Sequence, residues 1–278
     1  MPSFSKKELS EQDICSKYIL PSLVSVGWDL QKQIREQYGF TAGRITVRGK
    51  TVVRGEQKRV DFILYHRGHL PLALIEAKDN THPVGAGMQQ ALGYAEALDV
   101  PFVYSSNGDA FLEHDRLAKT GTIERELKLE EFPSPEALYS RYVKVKNLAP
   151  EQERVIIQDY YHEVGGKTPR YFQQVAVNRA TEEIAKGKNR LLLVMATGTG
   201  KTYTAFQSIW RLWKAGVKKR ILVLVARNIL ADQPIMNDFR YFGDKMTKIQ
   251  HRQVDKSYEV YLGLYQGLTG IEEEKNIF

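Results

Sequence analysis

Two stretches of this 278-residue chain carry side chains whose types and spacing suit phosphate chemistry. The first is MATGTGKT, residues 195–202, which follows an apolar run and precedes an amphipathic segment. Gly198 and Gly200 allow a tight loop whose backbone N–H groups turn inward toward phosphate oxygens. Lys201 supplies a point charge for β and γ phosphates, and Thr202 a hydroxyl for Mg²⁺. A helix opening at Lys201 adds the positive end of its dipole. Thr197 and Thr199 complete the loop. The spacing departs from the strict P-loop pattern: Met195 stands at the first glycine position, and Ala196 is the small residue one place later.

The second stretch is RVDFILYHRGHLPLALIEAKDN, residues 59–80. Asp61, Glu76 and Lys78 have the order acid, acid, one residue, lysine. On a strand, residues 76 and 78 share a face while 75 and 77 point away. A hairpin closed by HRGHLP would bring Asp61 beside Glu76. Two carboxylates and a backbone carbonyl form a hard-oxygen site suited to Mg²⁺, which would stabilise a phosphorane-like transition state and acidify a water that Lys78 positions. A carboxylate and a lysine inside LALIEAK interrupt an otherwise buried strand, which is costly unless they are paired or metal-bound. Downstream, QQALGYAEAL puts Gln90 and Tyr94 on one helical face at i, i+4. Glu36, or another acid on the early helices, is a candidate further carboxylate. His66 and His69 read as solvated turn residues.

The elements that must position these groups are legible in part. Ile14, Tyr18, Leu20, Leu23, Val24 and Trp28 suggest an amphipathic first helix, broken or restarted at Pro21. Strand-like segments follow at 44–53, 59–65 and 70–78, then a helix over Met88–Leu98, a strand at 102–105 and a turn at 106–109. Residues 128–168 read as a connector, with a helix opening at Ser134 or Pro135. From 169 onward the pattern alternates: strand 191–196, helix 201–215, strand 220–226, helix 228–239, strand 258–266. The continuous apolar runs at 191–196 and 220–226 suit strands buried on both faces of a parallel sheet. The resulting division is 1–127, 128–168 and 169–278.

Composition excludes several classes. Hydrophobic residues make up 42% and charged residues 26%, so the chain is neither disordered nor collagen-like. Lys+Arg is 40 and Asp+Glu 33, a net charge of +7 that permits a polyanionic partner. The one cysteine, Cys15, cannot form an internal disulfide and reads as structural. The longest apolar runs, 191–196 and 221–226, fall far short of the ~20 residues that span a bilayer. The start, MPSFSKKELSEQ, lacks a signal-peptide core. A cytoplasmic location without membrane contact is expected.

The glycine-rich stretch, with TGTGKT after a strand, resembles superfamily 2 helicases and translocases. PRYFQQVAVNRA resembles the glutamine motif of that superfamily, which implies that Gln173 reads the adenine edge of ATP. VLVARNILADQ resembles the motif after its second strand, which implies that Arg227 faces DNA. Asp61, Glu76 and Lys78 resemble the PD-(D/E)xK nucleases, with VD for PD, and Gln90 and Tyr94 the Q-x-x-x-Y helix of their RecB-like branch. That resemblance implies metal ligation by Asp61 and Glu76. Together the two halves resemble the R subunit of type I restriction enzymes. What this implies is an α/β chain: a restriction-endonuclease-like mixed-sheet domain, then a partial RecA-like parallel-sheet domain. The cofactors would be Mg²⁺ and ATP. The partners would be double-stranded DNA and the methyltransferase and specificity subunits. The activity would be Mg²⁺-dependent cleavage coupled to ATP-driven translocation. No DExH-type acidic pair and no second motor lobe follow in this sequence, so full ATP turnover by these residues alone is not expected. Two other readings remain open at this stage: a DNA-remodelling ATPase with a non-cleaving front domain, and a non-enzymatic docking module.

Overall fold

The computed structural model describes residues 5–41, 46–48, 51–53, 57–67, 69–163, 165–225, 234–249 and 254–264. Contacts divide the chain into two units, Met1–Glu153 and Arg154–Phe278. The division falls inside the stretch expected to be a connector.

The first unit opens with α1 (Glu11–Ile14), a π-helical turn at Cys15–Ile19, and α2 (Leu20–Ser25). Ser10 starts this run because its hydroxyl accepts from the Asp13 N–H while the Asp13 carboxylate accepts from the Ser10 N–H. Pro21 follows directly on the π-helical turn, and the residues on either side of that turn are helical, so the run continues through the proline rather than restarting there. Ile14, Ile19, Leu23 and Trp28 are buried, and the Trp28 indole donates to the Pro133 carbonyl at 3.0 Å.

Next come β1 (Ile34–Thr41), a short hairpin of β2 (Thr46–Arg48) and β3 (Thr51–Val53), then β4 (Gln57–Arg67) and β5 (Leu70–Ala77). Helix α3 (Met88–Leu98) leads to β6 (Phe102–Ser106), β7 (Ala110–Asp115) and β8 (Glu124–Lys128). Six strands form one mixed sheet in the order β1-β4-β5-β6-β7-β8. Only β5 and β6 run parallel, because α3 carries the chain back between them. β4 and β5 are central, and their middle residues are nearly all buried. Asp61 and Glu76 are therefore carried into the interior by strands whose other residues form the core.

Helix α4 (Pro135–Lys146) begins at Ser134, whose hydroxyl accepts from the Ala137 N–H. It packs on β4 and β5 within the first unit. Arg141 forks onto Glu113 and Asp115 and lies 4.6 Å over the Phe102 ring. Glu113 is 2% exposed and also binds Arg125 and the Tyr104 hydroxyl. Burial alone would raise its pKa, but these donors outweigh it and hold the carboxyl below its usual range. Tyr139 on α4 binds Glu153 of α5 (Pro150–Ile156).

In the second unit α6 (Tyr171–Ala185) and α7 (Lys201–Lys214) pack together. They are followed by β9 (Ile221–Val225), α8 (Pro234–Phe239), β10 (Met246–Lys248) and β11 (Val260–Leu264). The strands form a parallel sheet in the order β10-β11-β9. Phe206 of α7, Phe239, Phe242, Val260 and Leu262 make its core.

One expectation fails here. Residues 191–196 form no strand, and Leu192 and Val194 are each 86% exposed. A strand buried on both faces needs ladder partners, and among the described residues none pairs with this run. β9 also leaves Leu222 and Leu224 exposed rather than buried. Arg227 and most of the helix expected at 228–239 lie outside the described residues; only its end, α8, is described.

Candidate functional site

The hairpin β4–β5 performs the convergence expected from the sequence. Its register pairs Phe62 with Ile75, which sets Asp61 next to Glu76. The Asp61 carboxylate accepts from the Ala77 N–H at 2.8 Å and from the Gln37 amide of β1 at 2.9 Å. Glu76 is 3% exposed; one carboxylate oxygen accepts from the Gln90 amide, and the other, Oε2, is buried without a hydrogen-bond partner. Burial, then the Asp61 charge, push the Glu76 pKa up to about 8 against the pull of Lys78. Lys78 Nζ lies 3.5 Å from Glu76 and 3.4 Å from Glu11. Burial lowers the Lys78 pKa, but Glu11, Glu76 and Asp61 outweigh it and leave the ammonium favoured.

Gln90 sits on the first turn of α3 and also donates to the Tyr94 hydroxyl at 3.0 Å. All five expected residues thus meet in one place. The Tyr94 ring packs edge-on against Phe40 at 5.4 Å. The loop entering α3 comes very close: a Cβ on Gly87 would lie 3.1 Å from Glu76 Cγ and 3.0 Å from Ser105 Oγ. Glycine there lets α3 bring Gln90 onto the carboxylate.

Sequence reasoning missed Gln37 and left Glu11 unnamed: the acid that reaches Lys78 from the early helices is Glu11 of α1, not Glu36. Gln37 left no signal, since its contact with Asp61 depends on strand pairing. Glu36 lies not on a helix but on β1, opposite Phe62, and is exposed. The histidines are not open turn residues: His66 is half-buried and His69 buried. His66 lies within β4, stacked on Tyr139 at 3.8 Å, and burial followed by Arg67 lowers its pKa to about 4. His69 is 1% exposed. Both differ from expectation because β4 runs to Arg67 and α4 covers its end. Cys15 is buried; burial, with Asp61 and Glu11 nearby, pushes its thiol up to about 12, so it is inert as a nucleophile.

In the second unit, residues 197–200 turn into α7 with Gly198 at φ 79° and Gly200 at φ 82°. Lys201 Nζ folds over the loop, 3.2 Å from the Ala196 carbonyl and 3.4 Å from that of Met195. Thr199 Oγ1 donates to the Ala196 carbonyl at 2.6 Å. Thr202 lies in the first turn of α7. Gln173 is 6% exposed; its amide donates to the Thr199 carbonyl at 2.8 Å and accepts from the Arg170 N–H at 2.8 Å. A Cβ on Gly200 would come within 2.3 Å of that amide nitrogen. Gln173 therefore locks the start of α6 to the loop.

Both groups can take their expected guests. When ionised, Glu76 carries an unpartnered oxygen and lies beside the Asp61 charge, a cost that a divalent cation held by the two carboxylates would relieve. Among the described residues no three His, Cys, Asp or Glu side chains form a metal cluster; the oxygen donors that meet here are the two carboxylates of Asp61 and Glu76. The loop offers a flexible lysine, two left-handed glycines and the N-terminus of a 14-residue helix, which fits a polyphosphate.

Residues 30–130 match the family described as type I restriction enzyme R protein N terminus, and residues 166–277 that described as type III restriction enzyme, res subunit. Over its whole length the chain is 48% identical to the type I restriction enzyme EcoAI endonuclease subunit of Escherichia coli, of which it covers 34%. The chain belongs to the R-subunit family of type I restriction enzymes. Within that family it is also 28% identical, over 70% of its length, to the EcoKI endonuclease subunit of Escherichia coli K12, of which it covers 20%. It resembles a solved fragment assigned to an HsdR subunit from Vibrio vulnificus YJ016, with TM-score 0.78 and 40% identity, over 96% of this chain and 49% of that one. The chain thus spans about a third of the EcoAI relative and half of the solved fragment. No helix among the described residues is long and apolar enough to cross a membrane.

Proposed function

We propose that the first unit is a restriction-endonuclease-like domain that cleaves double-stranded DNA, and the second the opening part of a RecA-like motor that binds ATP. The carrying observation is the pairing of Asp61 with the buried, half-unpartnered Glu76 beside Lys78. Asp61 and Glu76 would hold Mg²⁺. When bound, that ion supplies charge stabilisation at the scissile phosphate and makes a nearby water more acidic. Lys78, held between Glu76 and Glu11, orients the attacking water and donates to a phosphate oxygen. Gln90 fixes the rotamer of Glu76, and Tyr94 fixes Gln90. At the other site the N–H groups of 197–200 with Lys201 would receive the phosphates and the Thr202 hydroxyl would serve their Mg²⁺; Gln173 would read the base with the amide capacity left over from its bonds to Thr199 and Arg170.

In the assembled enzyme, with methyltransferase and specificity subunits, this motor would move duplex DNA and the front domain would cut it. The test is Asp61→Ala and Lys78→Ala in that assembly. Cleavage should fall at least about 100-fold in each while DNA-stimulated ATP hydrolysis persists. Cleavage retained in both variants would return the front domain to a docking role on a remodelling ATPase.

A further inference from the structure

Gln37 is the one described non-glycine residue of the long strands with a left-handed backbone, at φ 49°. The other two such residues, Asp99 and Asn147, cap the ends of α3 and α4, where that conformation is ordinary. In the middle of a strand it is strained, and glutamine has no special tolerance for it. The strain falls at a telling place. The register of β1 on β4 runs from Glu36↔Phe62 to Tyr38↔Val60, so Gln37 stands across from Asp61. Its amide donates to Asp61 Oδ1 at 2.9 Å, while Oδ2 is taken by the Ala77 N–H. The two donors bind one oxygen each and fix the plane of the carboxylate. Ile34 and Phe40 on either side are buried, so β1 is firmly seated and holds the strained residue in place.

We propose that Gln37 is a positioning residue for the divalent-cation site: its strained backbone aims the amide at Asp61 and presents that carboxylate to the ion. This rests on the nuclease reading above. Each Asp61 oxygen accepts from a single donor and so keeps acceptor capacity for an ion, and the amide cannot itself titrate. The arrangement also explains why a strained glutamine is tolerated where glycine would fit the backbone better.

The distinguishing variant is Gln37→Gly, which accepts the left-handed backbone without strain but has no amide. With the full 278-residue chain, Mn²⁺ affinity is measured by calorimetry and stability by thermal unfolding. The melting temperature should be unchanged or higher. Mn²⁺ affinity should fall about tenfold, the low end of what loss of an outer-sphere partner costs. Gln37→Asn keeps a residue that accepts this backbone but shortens the reach by one methylene, and should lose affinity likewise. Asp61→Asn is the control. If it abolishes Mn²⁺ binding while Gln37→Gly binds like the parent, the role of Gln37 is overturned and the nuclease reading stands. If Asp61→Asn also binds like the parent, both fall. A Gln37→Gly chain that melts well below the parent would show a purely structural residue and would overturn the proposal too.

Discussion

Glu76 makes a quantitative test of the cation site. Its carboxyl is raised from 4.5 to about 8 by burial and then by Asp61. At pH 7 it is therefore about 0.9 protonated in the ion-free protein, because the pH lies about one unit below the pKa. A cation can be ligated only by the carboxylate, so binding at pH 7 should release about 0.9 proton per ion. Calorimetry of Mn²⁺ binding in two buffers of different ionisation enthalpy reads this number directly. The same shift sets a pH dependence of folding. Between 4.5 and about 8 the folded chain holds a proton that the unfolded chain has lost. Stability contributed at this residue therefore falls as pH rises through that window. That displacement corresponds to on the order of 3–5 kcal/mol by pH 8. Glu76→Gln should remove that loss: the variant should unfold like the parent near pH 4 and be markedly more stable at pH 8. It should also release no proton on exposure to Mn²⁺. Proton release near zero in the parent, or identical pH profiles for parent and variant, would refute the reasoning.

Two further outcomes follow from the geometry. Lys201→Ala should abolish ATP binding measured with a fluorescent nucleotide, because the side chain that folds over the loop is the cradle's point charge; unchanged affinity would refute the phosphate role. Arg141→Ala should destabilise the first unit by about 2–4 kcal/mol in urea unfolding, because Glu113 loses its bidentate partner in a buried site and Asp115 loses its own.

The cluster of Asp61, Glu76 and Lys78 was legible because strand geometry has period two. Once residues 59–65 and 70–78 read as a hairpin, Asp61, Glu76 and Lys78 had to share a face, and Gln90 and Tyr94 followed from the helical period. The turn at 197–200 entering α7 was legible because glycine, lysine and threonine at fixed offsets suit one backbone path. The histidines misled because HRGHLP looks like an open turn, whereas β4 extends to Arg67 and α4 stacks Tyr139 on His66. Proline and glycine around α4 mark element ends but not which surface the elements cover. Arg141 carries α4 onto the sheet through Glu113, a partner 28 residues distant.

The sequence by itself determined which residues could do chemistry and the local elements that carry them, since spacing and backbone preference are properties of neighbouring residues. Only the tertiary structure decided how those residues are tuned. The exposed run at 191–196 shows that apolar character does not make a strand without a ladder. Glu11, Gln37 and the orphan oxygen of Glu76 come from segments far apart in the chain, and burial and Coulomb interaction depend on distance in space rather than along the sequence.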